Sequence, residues 1–321
     1  MPDKKTPWWL WPNLLSLDAP IVAVAWLYMF ARAWQVNYMG WESYLALGLA
    51  VWVVYVLDRL LDHRLRVPQD PLIGARHHFH NRFRVLLISG VVAAIGVIAW
   101  VVFKVLPSEI IIDYSNGQRK IFFDVLFSYA GIGVMLVLLF FSMVMASSDQ
   151  AEVPYMRNLV AGLAFGYGTA IMAHVHLPTR GVGDLLPSLN GAGGSSVAWE
   201  VAAFCILCVL NITAIHLWEH SRHSDDPEVK AADEMVLTVL LTILAGFAMV
   251  FAYRDNPGLF KELPVGASEQ RRPFFICILV SAALLQVLNR TRKRFSLDAL
   301  RSLADMALVA PLPLYLIFEM A

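Results

Sequence analysis

Apolar stretches of about 20 residues, the length needed to cross a bilayer, recur from one end of the chain to the other with short polar segments between them. They predict transmembrane helices at 17–36, 41–61, 84–105, 121–146, 155–175, 197–219, 231–252, 273–290 and 299–319. The pattern is that of an all-α polytopic membrane protein with about nine transmembrane helices, residues 1–321 forming a single integral membrane domain. Lys4 and Lys5 precede an apolar start, but Pro12, Asn13, Ser16 and Asp18 interrupt what would be a signal-peptide core, and no small-residue cleavage site follows. Trp8, Trp9 and Trp11 read as an interfacial aromatic belt.

Composition agrees. The chain is 58% hydrophobic and only 16% charged, with a mean hydropathy of +0.60, values outside the range of soluble domains. With the N-terminus in the cytoplasm of a multi-pass cell-membrane protein, 16 Lys and Arg fall on the cytoplasmic side and 9 on the other, as the positive-inside rule expects. The formal net charge is zero, so nucleic acid is not an expected partner. Membrane lipids are, and the locally basic cytoplasmic loops suit anionic headgroups or a phosphorylated substrate.

Cys205, Cys208 and Cys277 lie within apolar helices, where thiols serve as inert packing groups. Residues 176–196, rich in Gly, Pro and Ser, read as a flexible outer connection. Residues 63–83 and 220–231 differ: they are dense in His, Arg and acid and follow the second and sixth spans directly. Chemistry is expected there.

The sharpest feature is Asp58-Arg59-Leu60-Leu61-Asp62, at the end of the second apolar run. Residues i and i+4 share a helix face, and an acid within a span costs about 2.5–3.5 kcal/mol near the centre. Two acids aimed alike suggest a shared cation, and oxygen ligands at that spacing suit Mg²⁺. The alternative is a solvated helix end in which the acids pair with Arg59 and Arg64. The second and sixth spans are four apart, as two four-helix repeats plus one helix would require. The sixth span ends with Asn211, His216, Glu219 and His220 on a broad polar face.

These features together resemble the UbiA-type membrane prenyltransferases. That family has nine spans, an Asn-Asp-x-x-Asp-x-x-x-Asp signature closing the second span, and an acidic signature near the end of the sixth. Asp58 and Asp62 match the last two acids of the first signature, in the common Asp-Arg-x-x-Asp form, while Val54 and Tyr55 stand where the family has Asn and Asp. Asn211 and Glu219 are the nearest counterparts at the second station, with Asp225 and Asp226 in the loop beyond. Pro154-Tyr155-Met156-Arg157 and the Gly162-x-Ala164-Phe165-Gly166-Tyr167 run resemble the family's next conserved stretch. The resemblance implies transfer of an isoprenyl group from an isoprenyl diphosphate to an aromatic or lipid-like acceptor with Mg²⁺. Asp58, Asp62 and Glu219 would hold the metal and serve catalysis. Arg59, Arg66, Arg76 and Arg157 would bind diphosphate oxygens, with Tyr155 and Asn211 as hydrogen-bonding partners.

Two other readings stand beside it. A UbiA-like chain without the leading acids could be a non-catalytic lipid-binding or scaffold protein. Alternatively, His216-x-x-Glu219-His220-x-x-His223, with His63, His77, His78 and His80 nearby, has spacing compatible with a transition-metal enzyme. Within the ninth span, Arg301 and Asp305 form an (i, i+4) pair suited to a structural bridge, and Pro311 and Pro313 should bend the helix.

Overall fold

The computed structural model describes residues 11–36, 38–65, 79, 82–105, 119–146, 154–177, 197–253 and 271–320; of 62–65, 119–127, 144 and 146 it describes the backbone alone. Among these residues the chain is about 90% helical and contains no strand. The elements are α1 (Trp11–Leu14), α2 (Asp18–Ala33), α3 (Trp41–Leu65), α4 (Arg84–Trp100) continued by a π turn (Val101–Val105), α5 (Arg119–Ala146) and α6 (Tyr155–His174). They continue with α7 (Ala198–His223), α8 (Pro227–Tyr253), α9 (Arg272–Thr291) followed by a 3-10 turn, α10 (Leu297–Val309) and α11 (Leu312–Met320).

Each window predicted from hydropathy holds a helix, and six of the described helical stretches are long and apolar enough to cross a membrane. These are Trp41–Leu61, Arg84–Val105, Ala198–His223, Pro227–Tyr253, Arg272–Arg294 and Leu297–Met320. The remainder fall short for physical reasons. α2 has 16 residues, roughly 24 Å at 1.5 Å per residue, against a hydrocarbon core of ~30 Å. It ends in a Schellman turn, Val36 N–H to Ala31 O at 2.9 Å and Gln35 N–H to Arg32 O at 3.1 Å. Gln35 takes the positive φ of 56° that glycine usually supplies there. α6 carries Arg157, Asn158 and three glycines in 20 residues. In α5 the apolar stretch with described side chains is Ser128–Met143.

The outer faces suit lipid. Val85, Leu86 and Val92 on α4, Val134 and Leu138 on α5, and Met235 and Ile243 on α8 are all exposed, a distribution that in water would be an extensive apolar patch.

Side-chain contacts fix the helix directions. Trp52 donates to Leu15 O at 3.0 Å while Gly48 faces Val24, so α3 runs antiparallel to α2. Trp26 donates to Leu308 O at 2.9 Å and Tyr28 to Glu319 at 2.7 Å, so α2 runs with α10 and α11. Asn211 meets Asp305 and Glu219 meets Arg301, which sets α7 antiparallel to α10. Gly162 abuts Val209 and Gly166 abuts Cys205, which sets α6 antiparallel to α7. Hence α3 and α7 run in the same direction and end at the same end of the bundle, where α2, α6 and α10 begin.

α7 is the most deeply buried of the six long helices and packs on α6, α8, α9 and α10. The core is aromatic: Trp26 stacks on Phe204 with ring centroids 4.5 Å apart, and Phe30 and Phe274 fill the same cluster at 4.8 Å. On the α6 side the two glycines replace bulk with proximity, as in small-xxx-small helix pairs. Gly168, by contrast, faces open space. The last helix breaks between Val309 and Leu312, where Pro311 withholds the N–H that would continue it. The Cys277 thiol donates to the Pro311 carbonyl at 3.7 Å, beside the Tyr315 N–H that reaches the same oxygen at 2.9 Å.

Candidate functional site

The end of the bundle shared by α3 and α7 is polar, although the interior above it is not. A small, partly open cavity with room for little more than a water molecule lies between α2, α3, α6, α7 and α10, lined by Tyr55, Asn211, Asp305, Phe165, Cys208 and apolar neighbours. Tyr55 stands where the resemblance expects an acid, and its phenol reaches this cavity. Asp58 and Arg59 follow on α3, half-buried, with their charges close enough to act on the Tyr55 hydroxyl. Arg59 also acts on Asp305.

Asn211 sits on the face of α7 that turns toward α10. Its amide donates to Asp305 Oδ1 at 3.0 Å, and it is 6% exposed. Two turns further along the same face, Glu219 Oε1 accepts from Arg301 Nε at 2.9 Å and from its terminal nitrogen at 2.5 Å. Arg301 also donates to Asp298 at 3.1 Å. The expected Arg301–Asp305 bridge is therefore not what forms. Antiparallel packing brings Glu219 to Arg301 and Asn211 to Asp305, and contacts across the helix pair replace the one along α10.

Arg157, at the start of α6, reaches across to His216 Nε2 at 3.0 Å. His216 Nδ1 lies 3.1 Å from the Ile212 carbonyl. A carbonyl only accepts, so Nδ1 carries the proton and Nε2 is left to receive the guanidinium. Tyr155 is 52% exposed at the tip of the same helix. The rest of the histidine run diverges. His220 Nδ1 meets Asp233 Oδ2 on α8 at 2.9 Å, and His223 donates to the Glu219 carbonyl of its own helix at 2.7 Å. Among the described residues no three His, Cys, Asp or Glu side chains group as metal ligands. Asp226 caps α8, accepting from Glu228 N–H at 2.8 Å.

Of the three acids expected to hold Mg²⁺, Asp58 lies at the cavity end of α3, and Glu219 would have to leave Arg301 to bind a metal. The side chain of Asp62 lies outside the described residues, as do Arg66, Arg76, His63, His77, His78 and His80. Sequence reasoning passed over one contributor. Asp18 opens α2 and accepts from Asn13 at 2.6 Å; it is also a hydrogen-bonding neighbour of Asp305. Its position just before an apolar helix was the available signal.

No protein-family model, curated protein or solved structure matches this chain.

Proposed function

We propose that the protein is a UbiA-like intramembrane prenyltransferase. It would cross the cell membrane nine times with its N-terminus in the cytoplasm, and move an isoprenyl group from an isoprenyl diphosphate to a lipophilic acceptor. The observation that carries this reading is the parallel run of α3 and α7, which puts Asp58 near the end of one and Glu219 near the end of the other at the same end of the bundle. A diphosphate held between two stations requires that arrangement. Asp58 and Asp62 are the pair suited to Mg²⁺, which when bound would neutralise the diphosphate leaving group. Arg157 and Arg59 supply fixed positive charge beside it, and the apolar walls exclude water from the isoprenyl chain.

A second reading, a lipid-binding or scaffold protein of the same build, draws on a different observation. The Glu219–Arg301 and Asn211–Asp305 contacts clasp α7 to α10, and the cavity beside them has room for little more than a water molecule, far short of an ordinary ligand pocket. Binding of farnesyl or geranylgeranyl diphosphate to purified protein, with and without Mg²⁺, separates the two. Prenyl transfer expects Mg²⁺-dependent binding that Asp62→Ala abolishes in a folded protein, while His220→Ala has little effect. Absence of diphosphate binding by the wild-type chain would leave the scaffold reading.

A further inference from the structure

The carboxyl groups of Asp18 on α2 and Asp305 on α10 come from opposite ends of the sequence and are hydrogen-bonding neighbours. Two carboxylates in that relation need a positive charge between them. The charged groups acting most strongly on Asp305 are Asp18 from α2 and Arg59 from α3. From α3, Tyr55 also faces the cavity, and Asp58 adds a further negative charge beside Tyr55. α7 presents Asn211 and the Cys208 thiol. Arg301, one turn away on α10, is already held by Glu219 and Asp298. At least two carboxylates therefore face one guanidinium.

A second observation is independent of that charge count. Asn211 is 6% exposed and lines the cavity, and its Oδ1 has no hydrogen-bond partner. Its amide orientation is not arbitrary: the NH₂ group must face the carboxylate of Asp305, to which it donates at 3.0 Å. Oδ1, at the other end of the same amide, is left as a buried acceptor on a residue of the cavity wall. A buried acceptor left bare costs about 1–3 kcal/mol, so the site wants a donor or a cation there.

We propose that the cavity between α2, α3, α7 and α10 binds one Na⁺ ion, held by the carboxylates of Asp18 and Asp305 with Asn211 Oδ1 as a further ligand. The ligand set is oxygen only, which selects a hard cation over Zn or Fe. Mg²⁺ is a poor fit, because it keeps several waters in near-octahedral array and Ala19, Val22, Phe165 and Leu308 wall the site with apolar groups. The proposal is independent of prenyl transfer: the cation would bind whether or not a diphosphate does.

The test is the unfolding temperature of the purified full-length chain in detergent, followed by tryptophan fluorescence. It is measured between about pH 5 and about pH 9, in NaCl and in choline chloride at equal ionic strength. If Na⁺ is the ligand, it raises the Tm by roughly 2–5 °C at high pH. Choline does not, and the gain fades as pH falls because protons take the same place. If Na⁺ is without effect and the Tm merely falls as pH rises in either salt, a proton shared by the two carboxylates suffices and the proposal is overturned. The Na⁺ response vanishes in Asp305→Asn, which removes one of the two carboxylates; Asp18→Asn is the second variant should the first not fold. Titration of His216 or His220 would leave the response intact in both variants, which overturns the proposal. So does a choline effect equal to that of Na⁺, or a wild-type Tm indifferent to both Na⁺ and pH.

Discussion

Gly162 offers the most direct test of how α6 is held against α7. A methyl group added there would meet Val209 N at 2.5 Å and Val209 Cα at 2.6 Å, about 0.9 Å inside the 3.4 Å at which ordinary contact begins. Both are backbone atoms of the most buried long helix, so no rotamer change relieves the clash and the helices must part. Overpacking of this kind costs about 1–3 kcal/mol, and a gap of 0.5–1 Å along the rest of the interface forfeits about a quarter to a half of each dispersion contact it opens. Against this, replacing glycine with alanine in a helix gains about 0.8–1.0 kcal/mol. Gly168, six residues along the same helix, is the internal control, because nothing lies within 4 Å of its added Cβ. Gly162→Ala should therefore lower stability by about 1–2 kcal/mol while Gly168→Ala leaves it unchanged or raises it. The assay is denaturant or thermal unfolding of the purified variants in one detergent. Parting the helices also draws Arg157 away from His216, now 3.0 Å apart, so any diphosphate binding should weaken in Gly162→Ala alone. Equal stability of the two variants would refute the close-packed α6–α7 seam.

Other contacts yield shorter tests. Arg301→Ala should destabilise by about 3 kcal/mol because it strands the largely buried Glu219 carboxylate, and the double variant Glu219→Leu/Arg301→Met should recover most of that loss in equilibrium unfolding. Trp26→Phe removes the 2.9 Å hydrogen bond to Leu308 O together with part of a fully buried indole; a loss of at least about 1 kcal/mol is expected from the hydrogen bond and the space left behind, and a Tm at or above that of the wild type would contradict the contact. Asn289→Leu removes the acceptor of the Trp218 indole at 3.1 Å and should lower the Tm measurably, with little effect if the indole is satisfied elsewhere.

Helix positions were legible because a bilayer imposes one demand on every span, a run of about 20 apolar residues, and runs of that kind need no partner to be recognised. Helix pairing was not legible in the same way. Arg301 and Asp305 at (i, i+4) describe a bridge along one helix. Which acid Arg301 actually meets depends on α7 lying antiparallel against α10 and on the register between them. Asp18 was legible as an interruption in an apolar run, but nothing local to it reveals that Asp305, far along the chain, lies beside it. Asp58 and Tyr55 are neighbours in the sequence itself, but that Tyr55 lines a cavity with Asn211 and Asp305 depends on how α3, α7 and α10 come together.

The polar residues of α7 make the general point. Asn211 and Glu219 bond to α10, His216 to α6, His220 to α8, and the Trp218 indole to Asn289 on α9. Within fewer than three turns one helix is tied to four neighbours. In lipid the hydrophobic effect does not drive helices together, so dispersion and interhelical hydrogen bonds must set which faces meet. Dispersion between smooth apolar faces tolerates sliding, whereas a polar pair in a low-dielectric interior is satisfied only at one register. A helix bonded to four partners therefore specifies the assembly more sharply than its hydropathy could. The spacing of His216, Glu219, His220 and His223, which suggests ligands converging on one ion, is equally the spacing that distributes side chains around a central helix, and the described partners are consistent with the second role.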